Sequence, residues 1–195
     1  MTSRLRTLTP AALTLACLLL PSTAGAQALG IQGGVTFSEY KFKTASSPAE
    51  GRLGGVGGIF VILGEGTFGG TVEALVSRRG TKTAAGTEIV ADYLEIPLAA
   101  RIVFGAGQNF RLNVLFGGTF GFKLRASQTG PPIFGDVDED IDGLDTGVML
   151  GGGLEFGRLI ANGRYVWGTR DVSDRPVEAY NRGFMVLVGV KLIGQ

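Results

Sequence analysis

Over Phe110–Leu124 (FRLNVLFGGTFGFKL) almost every second residue is apolar, and this alternation limits what the chain can fold into more than any other feature. Phe110, Leu112, Val114, Phe116, Phe120, Phe122 and Leu124 share one parity. Arg111, Asn113, Thr119 and Lys123 share the other. A period of two belongs to a strand, so the two sets leave opposite faces of a sheet. One face needs apolar surroundings; the other must solvate or pair charge.

The same pattern recurs in YLEIPLAARI (Tyr93–Ile102), within a strand expected over Ile89–Phe104. Leu94, Ile96, Leu98, Ala100 and Ile102 oppose Glu95 and Arg101, and Pro97 removes a ladder donor. A local bulge is the expected accommodation for that proline. Six further stretches alternate in part: Leu29–Phe37, Leu53–Leu63, Phe68–Arg78, Leu144–Phe156, Leu159–Trp167 and Phe184–Leu192. Leu53–Leu63 is apolar on both faces and says least. The chain is also rich in glycine, with 33 residues, as an all-β protein with close strand contacts would be.

The connections alternate in length. GEGT, GAGQN and GR follow the second, fourth and sixth strands. SEYKFKTASSPAEGR, RGTKTAAGTE, RASQTGPPIFGDVDEDIDG and GTRDVSDRPVEAYNR follow the others. Tight turns on one side and long polar loops on the other describe a transmembrane barrel, with the turns periplasmic and the loops outside. The expected fold is all-β: an eight-stranded antiparallel up-and-down transmembrane β-barrel, with both termini periplasmic. Phe68, Phe104, Phe110 and Phe156 then fall at the turn end, and Phe37, Phe122, Trp167 and Phe184 at the loop end. Two aromatic bands flanking an apolar wall are interfacial girdles.

The charged parity holds Glu73, Glu95, Arg101, Arg111, Lys123, Asp145, Glu155, Arg164 and Lys191. An eight-stranded barrel has an interior just wide enough for side chains. The repeated Phe and Leu of the apolar parity are bulky for that space, whereas the charged parity is interleaved with glycines that make room for long side chains. The charged face therefore points inward as a paired lumen network, and the apolar face meets lipid.

The N-terminus carries a targeting pattern. Arg4 and Arg6 precede the apolar AALTLACLLL, and AGA (Ala24–Ala26) supplies small residues, so residues 1–26 form a secretory signal cleaved before Gln27 and residues 27–195 the barrel domain. Cys17 leaves with the signal, so disulfides and thiolate metal sites are excluded from the mature chain. Removing Arg4 and Arg6 leaves 16 basic against 17 acidic residues, which is no footprint for nucleic acid.

At YLEIPL (Tyr93–Leu98) the sequence resembles the PorT-like outer-membrane β-barrel family, in which a tyrosine-leucine-glutamate-isoleucine-proline run lies on the fourth strand. GVMLGGGLEF (Gly147–Phe156) resembles that group's sixth strand, and NRGFMVLVGVKL (Asn181–Leu192) its closing strand. The resemblance implies an eight-stranded barrel in the outer membrane of a Gram-negative bacterium. Such chains usually end in an aromatic residue, whereas this one ends LIGQ. The secretion role of the family's namesake does not transfer, because no motif here carries it.

Chemistry is scarce. Enzymatic barrels that trim or acylate lipid A use a histidine, and the chain has none, so no catalytic residues and no cofactor are expected. Asp138, Asp140 and Asp142 before Gly143 mimic the start of a calcium loop, but Met149 stands where the bidentate glutamate belongs. That stretch is either a weak metal site or a solvated acidic loop. The expected role is structural or surface interaction through the loops, with outer-membrane lipid, lipopolysaccharide and an unidentified protein as partners. The alternatives are a soluble periplasmic lipocalin-like barrel, which needs an apolar interior, and a narrow diffusion channel.

Overall fold

Eight antiparallel strands run in sequence order and close on themselves: β1 Ala26–Phe42, β2 Ala49–Leu63, β3 Phe68–Thr83, β4 Glu88–Phe104, β5 Phe110–Thr129, β6 Leu144–Phe156, β7 Leu159–Gly168 and β8 Ala179–Gly194. The structure, a computed structural model, describes residues 26–42, 49–64, 66–83, 86–105, 110–130, 143–169 and 179–194. Closure comes from β1 and β8, which pair from Ala28↔Gly194 to Phe42↔Ala179. Each tight turn holds a glycine in the left-handed region, which other residues enter at a steric cost. Gly64 and Gly66 serve β2–β3 at φ 83° and 87°, Gly105 serves β4–β5 at 136°, and Gly157 serves β6–β7 at 55°.

At the loop end the strands run past the boundaries expected from the alternation. β1 continues to Phe42, β3 to Thr83 and β5 to Thr129. Polar residues there keep the ladder without keeping the apolar parity, so the pattern fades while the strand persists.

Pro97 is not accommodated by a bulge. The β3–β4 ladder steps from Val72↔Leu98 to Leu75↔Glu95 with no change of register, leaving a gap beside the proline. On the β5 side Pro97 stays in register opposite Thr119. The missing donor costs one break in a ladder held on both sides of it. The register shift in β4–β5 lies elsewhere. Asp92 pairs with Arg125 and Tyr93 with Lys123, so Leu124 is the extra residue.

The outer wall is apolar. Leu94, Ile96, Leu98, Ala100, Ile102 and Phe104 line it on β4, and Val114, Phe116, Leu150, Val188 and Ile59 stand exposed around its middle. A transmembrane strand needs roughly 9–11 residues, and the outward apolar run of each strand is of that order. Phe68, Phe104, Phe110 and Phe156 are exposed at the turn end, with Phe110 directly opposite Phe156. Phe37, Phe122, Trp167 and Phe184 are exposed at the loop end, with Phe37 opposite Phe184. Among the described residues no outward position between these two rings is charged. A soluble barrel with an apolar pocket needs Val114 and Leu150 inside, and both face out.

Val114→Arg therefore sets a cation against lipid at mid-wall. It is expected to lower the stability of the refolded barrel by about 2–4 kcal/mol in denaturant titrations on lipid vesicles. A variant as stable as the parent would mean that Val114 does not face lipid.

Candidate functional site

The interior is built from inward positions of every strand, and its charges form two clusters. Toward the turn end, Arg164 on β7 reaches across to Glu73 on β3, Nη1 to Oε2 at 2.9 Å. Gln32 on β1 donates to the same oxygen at 2.6 Å. Asn162 accepts from Arg164 Nε at 3.2 Å and Nη2 at 3.0 Å. Beside this group, Glu155 on β6 is shared. Arg101 and Asn113 donate to its Oε1, the latter at 3.1 Å, and Lys191 to its Oε2 at 3.0 Å. Arg111, half-buried at the turn end, lies 3.8 Å from Oε2.

Toward the loop end the sharing is reversed: one cation serves two carboxylates. Arg79 Nη1 meets Asp145 Oδ2 at 2.8 Å, and its Nε meets Glu95 Oε1 at 3.0 Å. Its Nη2 lies 2.5 Å from Glu95 Oε2, so the guanidinium meets both oxygens of that carboxylate. Ser77 also donates to Glu95, and the Arg79 guanidinium sits 5.5 Å from the centre of the Tyr93 ring. Lys123, half-buried, stands on the same wall opposite Tyr93 in the ladder.

Apolar layers separate and cap these clusters. Val56, Leu75 and Leu187 form one buried group, and Ala99, Leu115, Met149 and Val166 another. Phe60 fills the turn end with Ala28, Ile62 and Ile160. It fits because Gly30 has no side chain: a Cβ there would come within 2.3 Å of the ring. A cavity of about 20 Å³ remains among Gln32, Thr71, Glu73, Asn113, Glu155 and Asn162. Thr71 Oγ1 and Asn113 Oδ1 have no hydrogen-bond partner, and the space suits one water molecule.

Every charged residue read from the sequence as inward is thus placed. Glu73 meets Arg164; Arg101, Arg111 and Lys191 meet Glu155; Glu95 and Asp145 both meet Arg79. Arg79 is absent from the sequence expectation, which ended the third strand at Arg78. Continuing its parity through Thr71, Glu73, Leu75 and Ser77 reaches Arg79. Phe60 and Leu75 are inward hydrophobes that a strictly polar interior does not anticipate. No group of three or more metal-binding side chains occurs among the described residues. Asp138, Asp140 and Asp142 lie outside them.

A family model for the outer membrane protein beta-barrel domain matches residues 23–174. No curated protein sequence matches the chain. Among solved structures, the barrel is similar to Neisserial surface protein A (NspA), with a TM-score of 0.54 and 14% identity over 86% of this chain and 99% of that one. It is also similar to the outer membrane enzyme PagL, with a TM-score of 0.51 and 11% identity over 82% of this chain and 98% of that one. Ail of Yersinia pestis aligns over 84% of this chain and 97% of its own at a TM-score of 0.47 and 13% identity. At these identities the likeness to NspA and PagL shows the fold alone. One of these barrels is an enzyme, so the fold does not decide whether this chain catalyses a reaction.

Glu155→Gln keeps the shape but leaves Arg101 and Lys191 buried without their counter-charge. Removing one partner of a buried pair costs roughly 3–5 kcal/mol. The expected outcome is a lower unfolding midpoint in denaturant, and only partial recovery is expected when Lys191→Met is added, because Arg101 stays buried without its counter-charge. Unchanged stability in the single variant would mean that the cluster is hydrated in the folded barrel.

Proposed function

Because the chain belongs to the outer membrane protein beta-barrel domain family, we propose that it is a small barrel whose interior is closed to solutes and whose loop end carries the function, structural or in surface interaction. One observation carries this reading: the inward charges are consumed by one another. Glu73, Glu95, Asp145 and Glu155 each meet an arginine or lysine within the lumen. Large apolar side chains from six strands fill the space between the clusters and at the turn end. A conducting pore needs a continuous polar path, and these apolar layers support a closed interior instead.

On this reading the loops face outward, both termini are periplasmic, and residues 1–26 are a cleaved signal. The partners are lipopolysaccharide and other lipids of the outer membrane, and a protein met through the loops. The YLEIP run at Tyr93–Pro97 supports placing the chain in the PorT-like branch of the family. Lack of histidine supports a non-enzymatic role, since no imidazole can act as general base.

Planar-bilayer recording on the purified barrel is the test, with a heat-dependent gel shift as the check of folding. A folded, heat-shifting protein is expected to give no stable single-channel steps. Reproducible steps from that preparation would replace this reading with a narrow diffusion channel.

A further inference from the structure

One sector of the outer wall is charged where the apolar band ends. At the loop end Arg78 on β3, Asp92 on β4 and Arg125 on β5 stand side by side in register. The next row toward the membrane is Val76, Leu94 and Phe122, all apolar. The charged row is therefore at headgroup depth, on the lipid side. Arg78 grips Asp92 with two hydrogen bonds, Nε to Oδ1 at 2.8 Å and Nη2 to Oδ2 at 3.0 Å, yet its side chain stays 57% exposed.

Parity alone would turn Arg125 into the lumen, two residues after the inward Lys123. The bulge at Leu124 prevents this: Leu124 and Arg125 are both exposed, and Ala126 returns to the inside. A bulge that re-aims one side chain is a built feature. Arg52 is placed by a second irregularity, between Gly51 and Val56. It lies across Gly80, where a Cβ would come within 3.0 Å of its Cδ, and it pairs with Glu88. Lys82, exposed, stands opposite Glu88.

The sector thus presents Arg52, Arg78, Lys82 and Arg125 against Glu88 and Asp92, with Glu50 on β2 in register beside Lys82. Its bases sit at two depths. From Asp92 to Glu88 the strand rises about 13 Å, at roughly 3.3 Å per residue. A phospholipid offers one phosphate at one depth. A headgroup with several anionic groups spread above the membrane plane fits the two levels. Each carboxylate holds one guanidinium flat against the wall and leaves other N–H groups free for a phosphate.

We propose that the loop-end wall of β2–β5 docks the phosphorylated sugar headgroup of an outer-leaflet glycolipid, with Arg78 and Arg125 on one phosphate and Arg52 and Lys82 on anionic groups above it. This rests on the reading that the loops face outward. It assigns the contact with outer-membrane lipid to a defined side of the barrel and to named residues.

The test is native mass spectrometry of the full barrel released from nanodiscs that contain either diphosphorylated lipid A or phosphatidylglycerol. The wild type is expected to retain lipid A, and the Arg78→Gln, Arg125→Gln double variant to retain it at least about tenfold less. Retention of phosphatidylglycerol should be weaker and insensitive to the substitutions. Arg125→Gln alone, at an exposed position, serves if the double variant loses its heat-dependent gel shift. Equal retention by wild type and variant, or equal retention of both lipids, overturns the docking surface. A membrane-impermeant maleimide on Ser127→Cys in intact cells reads the orientation separately. Labelling of intact cells with substitution-insensitive lipid A defeats the docking surface alone. Labelling only after permeabilisation defeats the outward loops, and the outer-leaflet assignment with them.

Discussion

The pairing of β1 with β8 is the constraint on which the rest of the molecule depends. Hydrocarbon offers no hydrogen bond to a backbone N–H or C=O, and an open sheet would leave a row of each unpaired along both edges. Closing the sheet removes the edges. Closure also leaves each side chain with only two directions, toward lipid or toward the lumen. The composition of both faces follows from that choice, and so does the placing of charge, because a cation turned outward at mid-wall has nothing to pair with.

The lumen solves the complementary problem. Eight strands enclose little more than the volume of their own inward side chains. The charges inside cannot be hydrated freely, so they must be matched. Glu155 is shared among cations, while Arg79 is shared between carboxylates, and apolar layers hold the two arrangements apart. Buried pairs of this kind contribute little net stability against a well-packed apolar core. Their consequence is for register. A slip of one residue in any strand would send its charges into lipid and its phenylalanines into the lumen, so the clusters penalise every register but one.

The alternation repeated in eight stretches, together with connections that are short and long in turn, was enough to read a closed barrel of eight strands and which parity faces outward. Those properties are carried by one parity repeated in each strand, and parity is local. The loop-end extensions of β1, β3 and β5 were not legible, because their polar residues hold the ladder without an apolar signature. Arg79 was lost for that reason. Pro97 was misjudged: the two neighbouring ladders, in register on either side, tolerate a gap where an isolated hairpin would have bulged.

What the sequence determined by itself is the sorting of most of its residues into two faces, because side-chain direction along an unbroken strand alternates with position in the chain. What only the tertiary structure decided is which inward charges meet. Glu73 and Arg164 lie far apart in sequence and come together across the barrel, where tilt and stagger set their heights. The direction of Arg125 was also decided there, because a bulge in the ladder overrides parity at that residue. Phe60 belongs with them: its place inside depends on Gly30, on the neighbouring strand, having no side chain. Pairing between strands is a property of register, and register exists only once the sheet has closed.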